Sequence, residues 1–298
     1  MNLWMLFVEH SEGMWENPNI LFSFMTLQWV PNLFDILPMY MVILAMMPVM
    51  IVLARVHFAA VAVLSVALWV MGQRAWTEAL GLPYLNFTAE PWVGKDDWQR
   101  RWFLNPFGWQ LIFFTGFAFM RGWLPAPPVK TWLIVLAAVI VVANIPLSNI
   151  GVRAVSREWF GPFEGNPVID WRVANKPLID KSAFGVFRYI HFLALAYLAW
   201  VAAGVGGHRL IAKGGSALSD AWGKLVRIVM KIGQQSLAVF VFSMVFARIA
   251  GFVMDQIGRE TATVVAVNLI GVVALITVAY FVAWIKGTPW KPKKVVAA

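Results

Sequence analysis

The stretch Ala183 to Val205, AFGVFRYIHFLALAYLAWVAAGV, decides how this chain is read. It is apolar over enough length to cross a bilayer, which takes about 20 residues, yet it carries Arg188 and His191. Ionisable groups inside a span are costly and are retained mainly where they serve a function. Three apart on a helix, the two side chains share a face and can point together into a bundle interior or a water-filled cavity. They are the first candidates for catalysis.

Composition supports a membrane reading of that stretch. Hydrophobic residues make up 60% of the chain and charged residues 13%, with a mean hydropathy of +0.71, whereas a soluble domain carries roughly 25% charged residues. The predicted fold is all-α: a polytopic transmembrane helix bundle forming one integral membrane domain over residues 1–298. Seven spans are expected, at Leu33–Ala54, Phe58–Met71, Phe107–Met120, Thr131–Leu147, Ala183–Val205, Ile232–Met254 and Thr261–Ile285. The second and third are short.

Cysteine is absent, so disulfides, thiolate nucleophiles and cysteine metal sites are excluded. Neither HExxH nor a Walker or GxGxxG sequence occurs, so no metal and no bound cofactor is expected. Orientation follows from the loop cations. Residues 286–298 form a basic tail with Lys286, Lys291, Lys293 and Lys294, and the linker before Ile232 holds Arg209, Lys213, Lys224, Arg227 and Lys231. Both are assigned to the cytoplasm, which puts the C-terminus inside and Met1 on the outer side. The net charge of +9 thus reports topology, and no nucleic-acid partner is implied. An acidic N-terminus placed outside, beginning with LWMLFV at Leu3 to Val8, reads as the end of a span whose start is missing, so the chain is expected to be N-terminally truncated.

Two outer segments mix aromatic rings with charges in the manner of a carbohydrate-binding surface. One holds Trp76, Tyr84, Trp92, Trp98 and Trp102 beside Glu78, Asp96, Asp97, Arg100 and Arg101; the other holds Arg153, Arg157, Trp159, Trp171 and Arg172. An aromatic belt at the membrane interface is the competing explanation. Within the spans, Asp35, Gln110, Asn144 and Arg248 fall in the same outer half as Arg188 and His191, which lie roughly 8 and 12 Å below the boundary if the helix starts at Ala183. That clustering predicts a hydrated pocket open to the outer face. An unperturbed histidine titrates near neutrality and is the usual general base.

Four segments carry a resemblance: DILPMYMVILAMMP (Asp35–Pro48), NPFGWQLIFFTGFAFMRGW (Asn105–Trp123), KSAFGVFRYIHFLALAYLAW (Lys181–Trp200) and IGQQSLAVFVFSMVFARIAG (Ile232–Gly251). In order, they resemble successive blocks of the OpgC family, which is similar to the wider acyltransferase-3 superfamily. The resemblance implies about ten spans, a bacterial inner-membrane location, and O-succinylation of osmoregulated periplasmic glucans with succinyl-CoA as donor. Partners are then succinyl-CoA, a periplasmic β-glucan and the lipid bilayer. Lys181, Gln235 and Ser236, which stand in these blocks, join Asp35, Gln110, Asn144 and Arg248 as candidate substrate-binding residues. His191 becomes either the base or the partner of one, with the partner role preferred, and Arg188 a cation for the succinyl carboxylate or the oxyanion. The sequence departs from the family in lacking an Arg-Asp-Leu-Arg-Gly-like stretch followed by a histidine, and in having Gln234 where an arginine is expected. A membrane carrier or flippase for an anionic or glycosylated substrate, or an inactive truncated acyltransferase, are the alternatives.

Overall fold

The computed structural model describes residues 35–87, 101–148, 151–152, 157–161 and 165–287, together with Phe22, Met25 and Thr26. Among these residues the protein is helical. The expectations resting on Leu3 to Val8, Trp92, Asp96, Asp97, Trp98, Arg100, Arg153, Lys291, Lys293 and Lys294 lie outside them. The chain divides into two compact units, residues 12–205 and one containing residues 206–298.

The first unit opens with α1 (Ile36–Val56) and α2 (Phe58–Met71), joined through one extended residue, His57. His57 closes both helices: its N–H donates to the Leu53 carbonyl at 3.1 Å, and its Nδ1 accepts from the Ala59 N–H at 3.0 Å. Orphan backbone groups at both helix ends are thereby satisfied. A seven-residue helix, α3 (Arg74–Leu80), follows Gly72 and Gln73 and is bent 93° from α2. Next come α4 (Pro106–Met120) and α5 (Thr131–Ala143). Asn105 caps α4, accepting from the Phe107 N–H at 3.1 Å, and Pro106 takes the first helical position, where a missing N–H costs nothing.

Met39 and Ile43 of α1, Val61 of α2 and Phe114 of α4 meet with Met50 in the buried core of this unit. Lipid tails are as apolar as leucine, so association of such helices rests on close packing and interhelical hydrogen bonds. The bond-making pair is Ser65 of α2 and Gln110 of α4. Ser65 Oγ donates to Gln110 Oε1 at 2.7 Å, and Gln110 Nε2 donates to the Ser65 carbonyl at 2.7 Å and to that of Phe107 at 3.0 Å.

Two short helices, α6 (Pro167–Ala174) and α7 (Lys176–Ile179), lead into α8 (Val186–Ala203). Asn166 caps α6 from a fully buried position, accepting from the N–H groups of Val168 and Ile169. α8 packs along α5.

The second unit holds α9 (Ala217–Gln234), α10 (Ser236–Ile257) and α11 (Thr261–Lys286). α10 and α11 pack closely because Gly271 leaves room for the Phe246 ring, which an added Cβ would meet at 2.9 Å.

Hydropathy and structure agree on four helices long and apolar enough to cross a membrane, α1, α8, α10 and α11, with the bent α2–α3 pair as a fifth. The count of seven expected spans is not matched among the described residues. α4 has 15 residues and α5 has 13, or about 22 and 20 Å of helix, short of a hydrocarbon core of about 30 Å. Two boundaries also move: α8 starts at Val186, not Ala183, and the sixth apolar helix starts at Ser236, not Ile232. The segment read as a basic linker is in large part a helix, α9.

Candidate active site

The approach to α8 is built from the backbone outward. Asp180 folds residues 180–185 into a tight turn, its Oδ1 accepting from the Ser182 N–H at 3.2 Å and its Oδ2 from the Ala183 N–H at 3.1 Å. The Gly185 N–H donates to the Asp180 carbonyl at 2.9 Å. Three successive carbonyls of this turn are then taken by other elements. That of Ser182 accepts from the Asn105 N–H at 3.0 Å, that of Ala183 from Gln73 Nε2 at 2.6 Å, and that of Phe184 from Trp69 Nε1 at 2.9 Å. Phe184 holds a left-handed φ of 55°, sparsely populated for a bulky residue. Its buried ring lies 4.5 Å from that of Trp109. Gly108 of α4 permits this approach, because a Cβ there would run into the Ala183 carbonyl. Buried backbone acceptors left unpaired cost stability, so the lashings hold the start of α8 against α2, α3 and α4.

On α8, the two candidate catalytic residues occupy one face near the anchored end. Arg188 Nε donates to the Ile179 carbonyl at 2.8 Å, and Asp180 and Arg172 both act on the guanidinium electrostatically, with opposite signs. His191 is partly buried, and its Nδ1 is shielded from solvent without a hydrogen-bond partner. Buried side-chain nitrogens are normally paired, so an orphan of this kind calls for an explanation. Counted from Val186, His191 lies only about 8 Å along the helix, closer to the boundary than a start at Ala183 implies.

The opposite face of α8 borders a cavity of about 780 Å³ shared with α4 and α5, lined by Thr115, Phe119, Leu136, Ile140, Leu193 and Tyr197 among others. It is almost wholly apolar. Its polar contacts include a hydroxyl pair, Tyr189 and Thr115 at 2.9 Å, and the Tyr197 hydroxyl, which donates to the Pro128 carbonyl at 2.9 Å. Thr115 spends its one hydrogen on the Leu111 carbonyl at 2.7 Å, so Tyr189 is the donor between them. Arg188, His191, Asp35, Gln110 and Asn144 are all absent from the wall. The expected hydrated pocket is therefore not this cavity.

The other sequence-predicted residues are distributed as follows. Asp35 is buried at the start of α1. Gln110 is fully buried, with its oxygen and nitrogen engaged between α2 and α4. Asn144 ends α5 and donates back to the Ile140 carbonyl at 2.7 Å. Lys181 is exposed, its Nζ 5.2 Å from the centre of the Phe103 ring. In the second unit, Gln235 forms the break between α9 and α10 with its Oε1 buried and unpartnered; Ser236 is exposed at the start of α10, and Arg248 is partly buried within it. Among the described residues, no cluster of three His, Asp or Glu side chains could hold a metal.

Residues that sequence reasoning passed over do most of the positioning. Gln73, Asn105 and Asp180 sit outside the apolar periodicity, and only the Asn105-Pro106 pair carried a recognisable helix-start signature.

A family model described as OpgC protein matches residues 5–287. No curated protein and no solved structure matches the chain.

Proposed function

We propose, from the premise that this chain belongs to the OpgC family, that it moves succinyl groups from succinyl-CoA to hydroxyls of osmoregulated periplasmic glucans. Membership supports an acyltransferase-like function on glucans within a membrane. The donor, the acyl group and the placement in the bacterial inner membrane are this proposal's finer content. The observation that carries a catalytic reading is the buried, unpartnered Nδ1 of His191, one turn along the same helix face from Arg188.

In this scheme the glucan hydroxyl oxygen attacks the thioester carbonyl carbon while a histidine takes the hydroxyl proton. The carbon–sulfur bond breaks, the ester forms, and the departing CoA sulfur recovers the proton as a thiol. A positioned base contributes roughly 10²- to 10⁴-fold. Arg188 supplies the positive charge for the succinyl carboxylate or the developing oxyanion, the interaction from which such sites draw most. His191 either performs the proton transfer or holds the group that does. Aromatic residues beyond the membrane, the exposed Trp159 among them, would receive the glucan, and the basic segment from Arg209 to Lys231 would attract the donor's phosphates from the cytoplasm.

The test uses membranes from cells expressing the chain, supplied with succinyl-CoA labelled in the acyl group and with periplasmic glucan. Label recovered in base-labile ester linkage to glucan is the expected result. Label entering glucan equally from acetyl-CoA would reject the succinyl assignment, and movement of glucan or donor across sealed vesicles without ester formation would favour a carrier.

A further inference from the structure

Helix α9 carries two stripes that its own unit does not absorb. At 100° per residue, Leu218, Trp222, Leu225 and Val229 fall within an arc of about 60°, spaced four, three and four apart. They are 81%, 42%, 50% and 59% exposed. The cations Lys224, Arg227 and Lys231 occupy a second arc roughly 160° away, and none makes a hydrogen bond or ion pair among the described residues. The Trp222 indole N–H is already satisfied by the Leu210 carbonyl at 2.9 Å, so the ring offers an apolar body. Ser219 ties the preceding loop to the helix by donating to the Lys213 carbonyl at 3.1 Å.

Neighbouring elements indicate what covers the apolar stripe. α9 packs against α11 and is separated from α10 only by Gln235. Both of those helices are long and apolar enough to cross a membrane. α9 is not, because Asp220, Lys224, Arg227 and Lys231 interrupt it. A helix with an exposed apolar stripe, cations opposite, and direct continuity with a membrane span has the pattern of a helix lying in the interface plane. Long cationic side chains can reach from there to headgroup phosphates while their stems stay on apolar surface.

We propose that α9 is an in-plane anchor that seats Leu218, Trp222, Leu225 and Val229 in one leaflet and binds anionic phospholipid through Lys224, Arg227 and Lys231. The inference stands independently of the acyl-transfer reading. It places three of the cations assigned above to the donor's phosphates in the headgroup layer.

The absence of cysteine makes the test direct. Single substitutions Leu218→Cys, Leu225→Cys, Val229→Cys and Asp220→Cys in the full chain are labelled with an environment-sensitive fluorophore. Each is reconstituted in phosphatidylcholine vesicles with and without phosphatidylglycerol. Emission at 218, 225 and 229 should shift to the blue, more so with phosphatidylglycerol, while emission at 220 stays red. Combining Leu225→Cys with Lys224→Gln, Arg227→Gln and Lys231→Gln should remove the phosphatidylglycerol-dependent part of the shift, and Lys224→Arg with Lys231→Arg should retain it, which separates lost charge from lost folding. Red emission at every position would overturn the proposal, as would a blue shift indifferent to lipid charge and to the neutralised cations. A shift that fades as protein is diluted in lipid would assign the stripe to a second copy of the chain.

Discussion

The seam between α2 and α4 and the first turns of α8 treat a polar side chain in opposite ways. Gln110 is fully buried, and its amide is matched by Ser65 and by the Phe107 carbonyl. His191 is less deeply placed, yet its Nδ1 is shielded and has no partner. A polar group whose bonds close within the protein holds helices together, and one left open is available to something not yet bound. In the sequence both are polar intruders in apolar helices, His191 a catalytic candidate and Gln110 a substrate-binding one; the hydrogen bonds separate them further.

The sharpest way to break this contrast is His191→Ala. Transfer should fall by roughly 10²-fold or more with the unfolding midpoint in detergent unchanged, and equal transfer rates in mutant and parent would remove His191 from the chemistry. Gly108→Val tests whether the site depends on the lashed turn. A Cβ there meets the Ala183 backbone, and such overpacking costs about 1–3 kcal/mol, so thermal stability and transfer should decline together. For Gln110→Leu the expected loss is about 0.6–2 kcal/mol, read as a lower midpoint in denaturant titration, with transfer falling only as far as the folded fraction does. Smallest of all, Glu78→Ala removes the exposed pair with Arg74 at 2.8 Å, worth at most about 0.5 kcal/mol, and should leave both measurements near parental values.

What the sequence made legible follows the reach of its signals. Long apolar runs marked α1, α8, α10 and α11, because hydropathy is a sum over many residues and tolerates a misplaced boundary. The same averaging hid α9, where charges at 220, 224, 227 and 231 cancel the apolar residues between them. The 3.6-residue period was present there and would have found the helix. The candidate site was half visible. Arg188 and His191 announced themselves by cost, whereas Gln73 and Asn105 are ordinary polar residues in sequence that acquire their role only when distant carbonyls arrive beside them, and Asp180 acquires its role when the N–H groups of Ser182 and Ala183 turn back onto its carboxylate. Gln110 shows the converse, since its apolar surroundings marked it out but only the matching Ser65 revealed what it does.

The lashed turn at residues 180–185 also sets the mechanics of α8. A helix clamped at one end moves as a lever, and displacement under a small tilt grows with distance from the clamp. His191 lies about 8 Å from Val186 and Ala203 about 26 Å, so a swing carrying the far end by 3 Å moves the histidine by about 1 Å. The cavity wall at Tyr197, whose hydroxyl donates to the Pro128 carbonyl at 2.9 Å as a second tie, thus lies farther from the fulcrum than the imidazole does.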